Sequence, residues 1–333
     1  MQVQKIVIAG AGSIGCYVGG CLNAAGLPVH FLGRARIHQE ISQYGLQLTD
    51  LRGTQCNVAA GQINSSTDAG ILADADVVLV CVKSSATQEM GQILARHLKP
   101  GVLVFSLQNG VSNYRQLRDL LPAHTVLPVM VPYNVVHQGE GKFHCGSGGM
   151  LLVENAPGAQ VLLDLCQRAN FAIQTHDNMP GLLWGKLLLN LNNPVNALCG
   201  LPLKQELETR ALRLIYAACL REGLKVLKKA GIKPAKAAAV PAWLIAPVLH
   251  LPDFLFKRVA HQMLAIDPQA RSSMWEDLQL GRKTEIEFIN GEIVRLAQSL
   301  GMAVPFNQRM LALVHKAENL GHYQALNAQQ MRP

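Results

Sequence analysis

Gly10-Ala11-Gly12-Ser13-Ile14-Gly15 is a complete G-x-G-x-x-G run placed directly after the apolar segment 5–9. Each glycine has a task in dinucleotide binding. Gly10 permits a tight turn, Gly12 lets the backbone approach a pyrophosphate, and Gly15 allows a helix to pack closely on the preceding strand. Ser13 and Ile14 would open that helix, whose first N–H groups and positive dipole end attract phosphate. An NAD-selective site places an acidic residue at the end of the second strand, for the ribose hydroxyl. This chain has Gly33-Arg34-Ala35-Arg36 after the apolar run 28–32. The planar guanidinium of Arg34 suits a 2′-phosphate, so NADP(H) is expected over NAD(H). Lys83 follows Val-Val-Leu-Val-Cys-Val, and Asn109 stands in Ser106-Leu107-Gln108-Asn109-Gly110. Both are polar residues that apolar strands deliver to the sheet edge where ligands bind. For Asn109-Gly110 an ordinary turn is the competing reading.

A second polar group lies further along. Lys186, Asn190 and Asn193 recur three and four residues apart in a leucine-rich stretch that opens with Trp184-Gly185 and closes with Pro194. On a helix that spacing puts them on one face. Lysine is rarely a core residue, so this face is either solvated or lines a polar cleft. Pro194 cannot donate to the carbonyl of Asn190, so a kink or helix end is expected there. In the segment 272–293, Ile286, Ile289 and Ile293 begin an apolar stripe that Leu296 continues, and Glu285 borders it. Glu285 is either a partly buried carboxylate facing a cleft or half of a surface helix pair with Arg282.

Particular elements must present these groups. Residues 5–9, 28–32, 76–82, 101–107 and 125–131 are short apolar runs. That is the pattern of strands buried on both faces of a parallel sheet. Helical patterns lie between them, over 16–25 and 88–97, and the glycine-rich stretch 143–153 reads as antiparallel edge strands. Near Asp177 the character changes to long helical patterns, over 206–230, 254–265 and 274–300. The expected fold is α/β. A Rossmann-type domain with a mostly parallel sheet spans 1–177, and a second, all-helical domain spans 178–333.

Together these segments resemble the ketopantoate reductase family along essentially the whole chain. The most specific are Trp184-Gly185-Lys186-Leu187-Leu188-Leu189-Asn190 and Ser272-Ser273-Met274-Trp275-Glu276-Asp277 running on through Glu285. The resemblance implies NADPH-dependent reduction of the 2-oxo group of ketopantoate, giving pantoate for pantothenate synthesis. It makes Lys186 the proton donor and gives Glu285 a supporting part in catalysis and substrate positioning. Asn190 and Ser273 would contact substrate, Asn109 the nicotinamide side and the substrate, and Lys83 the cofactor. Physical chemistry agrees. Hydride addition to a ketone leaves a developing alkoxide, which a positioned ammonium stabilises and protonates. A nearby carboxylate keeps that ammonium charged.

The chain also departs from the family pattern. The interval from Asn190 to Asn193 is one residue short, which makes Asn196 a further candidate for substrate binding. Leu203 and Ala270 stand where polar residues are common. These changes bear on the substrate more than on the reaction, and they leave another branched 2-oxo acid open. Two other readings compete: a hydroxy-acid dehydrogenase of the 3-hydroxyisobutyrate or 6-phosphogluconate type, and a non-catalytic NADP-binding redox sensor.

Composition narrows the field. The formal charge of +8 suits anionic ligands. There is no long basic run, zinc-finger spacing or RNP-like motif, so nucleic acid is not expected as a partner. The eight cysteines form no C-x-x-C pair and the eleven histidines no H-E-x-x-H. The cysteines read as buried apolar residues of a reducing compartment, and no metal is expected. The first residues do not read as a signal peptide, and no run approaches the roughly 20 apolar residues of a membrane span. A cytoplasmic protein without a membrane partner is therefore expected. The proline-containing apolar segment 240–256 fits either a homodimer contact or internal packing.

Overall fold

The computed structural model describes residues 3–51, 53–237, 240–261, 269–320 and 324–333. The chain divides into two compact units, Met1–Met179 and Pro180–Pro333.

The first unit holds the strands formed by the described residues. They are β1 (Ile6–Ala9), β2 (Val29–Leu32), β3 (Leu46–Asp50), β4 (Gln55–Val58), β5 (Asn64–Ser66) and β6 (Val77–Val80). There follow β7 (Leu103–Ser106), β8 (Thr125–Met130), β9 (Val135–Gly139), β10 (Lys142–Cys145), β11 (Leu151–Glu154) and β12 (Ile173–His176). Eight of them form one sheet in the order β12-β11-β8-β7-β6-β1-β2-β5. From β5 to β8 all neighbours are parallel, whereas β11 runs antiparallel to β8 and carries β12 beside it. The chain leaves β1 toward β2 on one side and later toward β6 on the other. That reversal creates a switch point at which the carboxyl ends of β1 and β6 open toward solvent.

The apolar runs read from the sequence are buried because helices cover both faces. Ile6 and Ile8 enter one core with Phe31, while Val7 and Ala9 enter the other with Val78 and Val80, as a period of two requires. Helices α1 (Ser13–Ala24), α2 (Ala35–Tyr44), α3 (Thr87–His97), α4 (Asn113–Leu120) and α5 (Ala159–Arg168) complete this unit.

A second sheet, β4-β3-β10-β9, is an addition to the expected fold. Helix α1 lies between the two sheets, and its glycines show how closely. A Cβ on Gly19 would stand 2.6 Å from Ile8 of the large sheet, and one on Gly20 would stand 2.7 Å from Leu48 of the small one. Only residue 143 to 145 of the expected edge-strand segment belongs to this second sheet, in β10; β11 joins the large one.

The second unit is helical: α6 (Met179–Asn190), α7 (Asn193–Cys199), α8 (Leu203–Glu208), α9 (Arg210–Lys229), α10 (Ala242–His250), α11 (Asp253–Val259), α12 (Ser273–Gln279), α13 (Asn290–Ser299) and α14 (Pro305–Leu320). Two expected helices are broken. The one over 206–230 divides at Thr209, which is extended. The fully buried Arg213 explains that break. Its guanidinium donates to the carbonyls of Leu207 and Glu208 at the end of α8, and to those of Leu249 and Leu251 at the end of α10. Helix ends leave such carbonyls without partners, and one arginine serves two of them. Arg213 also lies 2.7 Å from Asp253 and 4.3 Å from the centre of the Phe256 ring. The helix expected over 274–300 divides as well. Helix α12 stops at Gln279, Gly281 turns the chain with φ +60°, and a short 3-10 turn, Ile286–Phe288, precedes α13. Of the helix expected over 254–265, residues 262–265 lie outside the described residues.

Segment 240–256 packs internally through Ala242, Ile245, Ala246, Leu249 and Phe256, while Trp243 and Phe254 point outward. Among the described residues no helix is long and apolar enough to cross a membrane.

Candidate active site

In the first unit, parallel pairing brings the ends of β1, β2, β6 and β7 to one edge. Gly10, Arg34, Lys83 and Asn109 therefore share that edge, each in the connection after its strand. Gly10 has φ +109°, and a Cβ there would lie 2.7 Å from the Val82 amide nitrogen. A Cβ on Gly15 would lie 2.2 Å from the Gly10 carbonyl oxygen. Gly12 differs, because a Cβ there would meet nothing within 4 Å. The turn is thus closed against the sheet and open above Gly12, at the first turn of α1, where Ser13 and Ile14 stand. These residues fit the diphosphate of a dinucleotide: open space, a close backbone and a helix N-terminus coincide.

Arg34 caps α2 and is exposed, whereas Arg36 is engaged with Glu40 at 3.1 Å. Lys83 is exposed at the start of the short turn Ser84–Ala86. The loops after β6 and β7 are tied together by polar side chains that sequence reasoning missed. Ser84 Oγ donates to the Asn109 carbonyl at 3.2 Å, and Asn113 Nδ2 donates to Ser84 Oγ at 2.9 Å and to the same carbonyl. Thr87 Oγ1 donates to Asn113 Oδ1 at 2.8 Å, and Gln108 Nε2 donates to Thr87 Oγ1 at 2.7 Å. Ser84, Thr87, Gln108 and Asn113 are all buried. Their signal in the sequence is the density of polar residues around Gln108-Asn109-Gly110 after an apolar strand. The network fixes the backbone that carries Asn109.

In the second unit, Lys186 and Asn190 lie on α6, both partly buried, while Asn193 begins α7. The helix ends before Pro194, so the expected face is shared between two helices. Asn196 is fully buried and its amide is engaged on both sides. Its Nδ2 donates to the Leu201 carbonyl at 2.9 Å and to Glu206 Oε2 at 3.0 Å, and its Oδ1 accepts from the Ser272 N–H at 2.8 Å. A substrate contact is closed to Asn196 in this arrangement; it supports Ser272 instead. Ser272 Oγ donates to the Asn193 carbonyl at 3.2 Å and caps α12 by accepting from the Trp275 N–H. Ser273, beside it, is exposed at the first position of α12. Glu206 also accepts from Asn192 Nδ2 at 3.2 Å. Burial pushes the Glu206 carboxyl up to about 8, against the two asparagine donors, so it carries a proton at neutral pH.

Glu285 does not lie on a long helix. It precedes the turn Ile286–Phe288 and is partly buried. Glu285 and Arg282 do not share a helix: Arg282 sits in the turn after α12, 4.0 Å from Glu276. Glu285 acts on Lys186. Burial pushes the Lys186 ammonium down to about 8, and the negative charge of Glu285 opposes that fall. A partly buried amine within the field of a carboxylate can give up a proton near neutral pH and recover it. The two positions of departure also meet, since the Leu203 N–H donates to the Ala270 carbonyl at 2.9 Å.

Comparison with known proteins agrees over both units. The family model for ketopantoate reductase PanE/ApbA matches residues 6–158, and the model for its C-terminal part matches residues 178–318. The 2-dehydropantoate 2-reductase of Archaeoglobus fulgidus is 30% identical over 329 residues, 96% of this chain and 99% of its own. That of Halobacterium salinarum is 26% identical over 325 residues, 96% of this chain and all of its own (100%). A solved PanE/ApbA family ketopantoate reductase from Ralstonia eutropha is similar at TM-score 0.82 and 31% identity, covering 96% of this chain and 99% of that one. D-mandelate dehydrogenase, solved with NADH and anilino(oxo)acetate, shares the fold at TM-score 0.79 and 21% identity, over 96% of this chain and 99% of its own. Matched in both of its units and in their order, the chain belongs to the ketopantoate reductase family.

Proposed function

We propose that the protein reduces 2-dehydropantoate to pantoate with NADPH. The reading is carried by Lys186, whose ammonium feels the negative charge of Glu285 within the same helical unit, in a family whose relatives bear that activity as their name. Gly10, Gly12, Ser13, Ile14 and Gly15 hold the diphosphate, Arg34 takes the 2′-phosphate, and Lys83 and Asn109 meet the cofactor along the strand edge. When bound, the nicotinamide supplies the hydride.

The chain's own residues do the rest. Asn190, Asn193 and Ser273 orient the 2-oxo acid, with Asn109 on its nicotinamide side. The Lys186 ammonium donates a hydrogen bond to the 2-oxo oxygen. As negative charge develops there, one Nζ–H proton passes to it, giving the hydroxyl and leaving a neutral amine that solvent reprotonates. Burial brings Lys186 near the working pH, where an acid transfers its proton most effectively. Glu285 keeps it charged until then.

One observation favours a second substrate. Leu203 and Ala270 sit together through their backbone hydrogen bond, where polar side chains are expected of the family. A branched 2-oxo acid without a hydroxyl would meet such apolar side chains at no cost in unsatisfied hydrogen bonds. The test is NADPH oxidation with 2-dehydropantoate, beside a panel of branched 2-oxo acids and with NADH as control. Turnover greatest with 2-dehydropantoate supports the first reading; turnover only with a hydroxyl-free acid replaces it by the second. NADPH binding without any turnover would contradict both.

A further inference from the structure

The segment that carries Glu285 is held from helix α14, which the proposed mechanism does not use. Glu318, near the end of α14, has a side chain only 6% exposed. Its Oε1 accepts two hydrogen bonds from a single residue, the N–H and the hydroxyl of Thr284, both at 2.8 Å. Its Oε2 accepts from Lys283 Nζ at 3.1 Å. Thr284 is buried in turn, and its hydroxyl oxygen accepts from the Ile286 N–H at 3.2 Å. The residues immediately before and after Glu285 are thereby tied to each other and to α14. One turn earlier on the same helix, His315 lies 3.2 Å from Glu287, which also pairs with Arg295 at 3.0 Å.

A buried carboxylate is costly unless donors satisfy it. Burial pushes Glu318 up, but the two Thr284 donors and Lys283 outweigh burial and hold it below the ordinary carboxylate range. It is therefore charged wherever the protein works, and its hydrogen bonds are of the strong, charge-assisted kind. Two of them come from Thr284, the residue next to Glu285 in the chain, and the third from Lys283.

We infer that Glu318 is a positioning residue that fixes where Glu285 stands relative to Lys186. The inference rests on the proposed role of Lys186 as proton donor. Glu285 is the charged group whose field reaches Lys186, so a displaced Glu285 leaves the ammonium easier to deprotonate. A residue serving stability alone would leave that titration untouched.

The experiment measures kcat against pH for the wild type, Glu318→Ala, Glu318→Gln, Thr284→Val and Glu285→Gln, with thermal melting of each. Lys186 is titrated independently, in the protein without substrate, by pH-dependent acetylation read by peptide mass spectrometry. Glu285→Gln removes the opposing charge and should move the high-pH fall of kcat to lower pH. Glu318→Ala should move it in the same direction and lower kcat by up to about a hundredfold, the scale of a misplacement caused by a mutation remote from the chemistry, with KM little changed. Glu318→Gln keeps an oxygen for Thr284 and should restore most of both. If Glu318→Ala does not fold, Thr284→Val carries the test with a smaller shift in the same direction. Lower melting temperatures with both titrations unmoved, while Glu285→Gln does move them, would overturn the inference and leave the mechanism standing. Titrations unmoved even in Glu285→Gln would overturn the reading of Lys186, and this inference with it.

Discussion

At the strand edge of the first unit, the groups expected to meet a cofactor are backbone conformations and exposed side chains: the Gly10 turn, the open space above Gly12, and Arg34 and Lys83 in solvent. In the second unit the expected reacting groups are partly buried side chains, held by residues buried deeper still. Asn196 and Glu206 hold the Ser272 segment, and Glu318 holds Thr284. The first arrangement binds a large anion mainly through local geometry. The second tunes proton affinity, which requires taking charge out of water and then fixing its neighbours. Changes at the edge should therefore alter affinity and leave the chemical step intact. Changes in the helical unit should alter the chemical step, even where the residue meets no ligand.

Lys186→Ala gives the largest expected effect. It should lower kcat about a thousandfold, within the range for loss of a positioned proton donor, while NADPH affinity measured by fluorescence titration stays at the wild-type value. Equal losses in both would erase the contrast between the units. Arg34→Ala is the converse. Loss of a charge-assisted contact to the 2′-phosphate should weaken NADPH binding by about tenfold to a hundredfold, with NADH binding and kcat at saturation unchanged. A parallel loss for both cofactors would show that Arg34 does not read the phosphate.

The smallest effect concerns Glu206 and is read in stability. Its carboxyl titrates near 8 in the folded protein, against an ordinary value of 4.5. The folded state keeps a proton that the unfolded chain releases. The stability from this group is complete below the ordinary value, declines as pH rises, and is gone above about 8. Glu206→Gln has no proton to lose and keeps a similar shape. It should lie within about 1 kcal/mol of the wild type in mildly acidic solution and gain on it as pH rises. Urea unfolding at about pH 5 and about pH 9 measures the difference. Parallel pH dependence in the two proteins would mean that Glu206 is ionised in the fold.

The same contrast explains how much was legible in the sequence. Strands, the glycine turn and Arg34 could be read because apolar runs and glycine spacing are local rules. The second sheet was not legible, because β3 pairs with β10; the Thr49–His144 contact between them spans 95 positions. Neither was the break at Thr209, which depends on Arg213 reaching the carbonyls of α8 and α10. Helical spacing placed Lys186 and Asn190 together, but it could not tell that Asn196 turns inward to Ser272. Glu285 stood out in the sequence as a carboxylate at the edge of an apolar stripe. The loop that carries it depends on Gly281 and on Glu318, which comes from a different helix.

The most direct test of the account is the dependence of kcat on pH for reduction of the preferred 2-oxo acid at saturating NADPH. The proton donor proposed here titrates near 8. The rate should be level at neutral pH and fall through a single ionisation as the solution is made more alkaline, with the fall displaced to lower pH in Glu285→Gln. A rate that stays level far into the alkaline range, or a fall that Glu285→Gln does not move, would contradict the assignment of Lys186 as the proton donor.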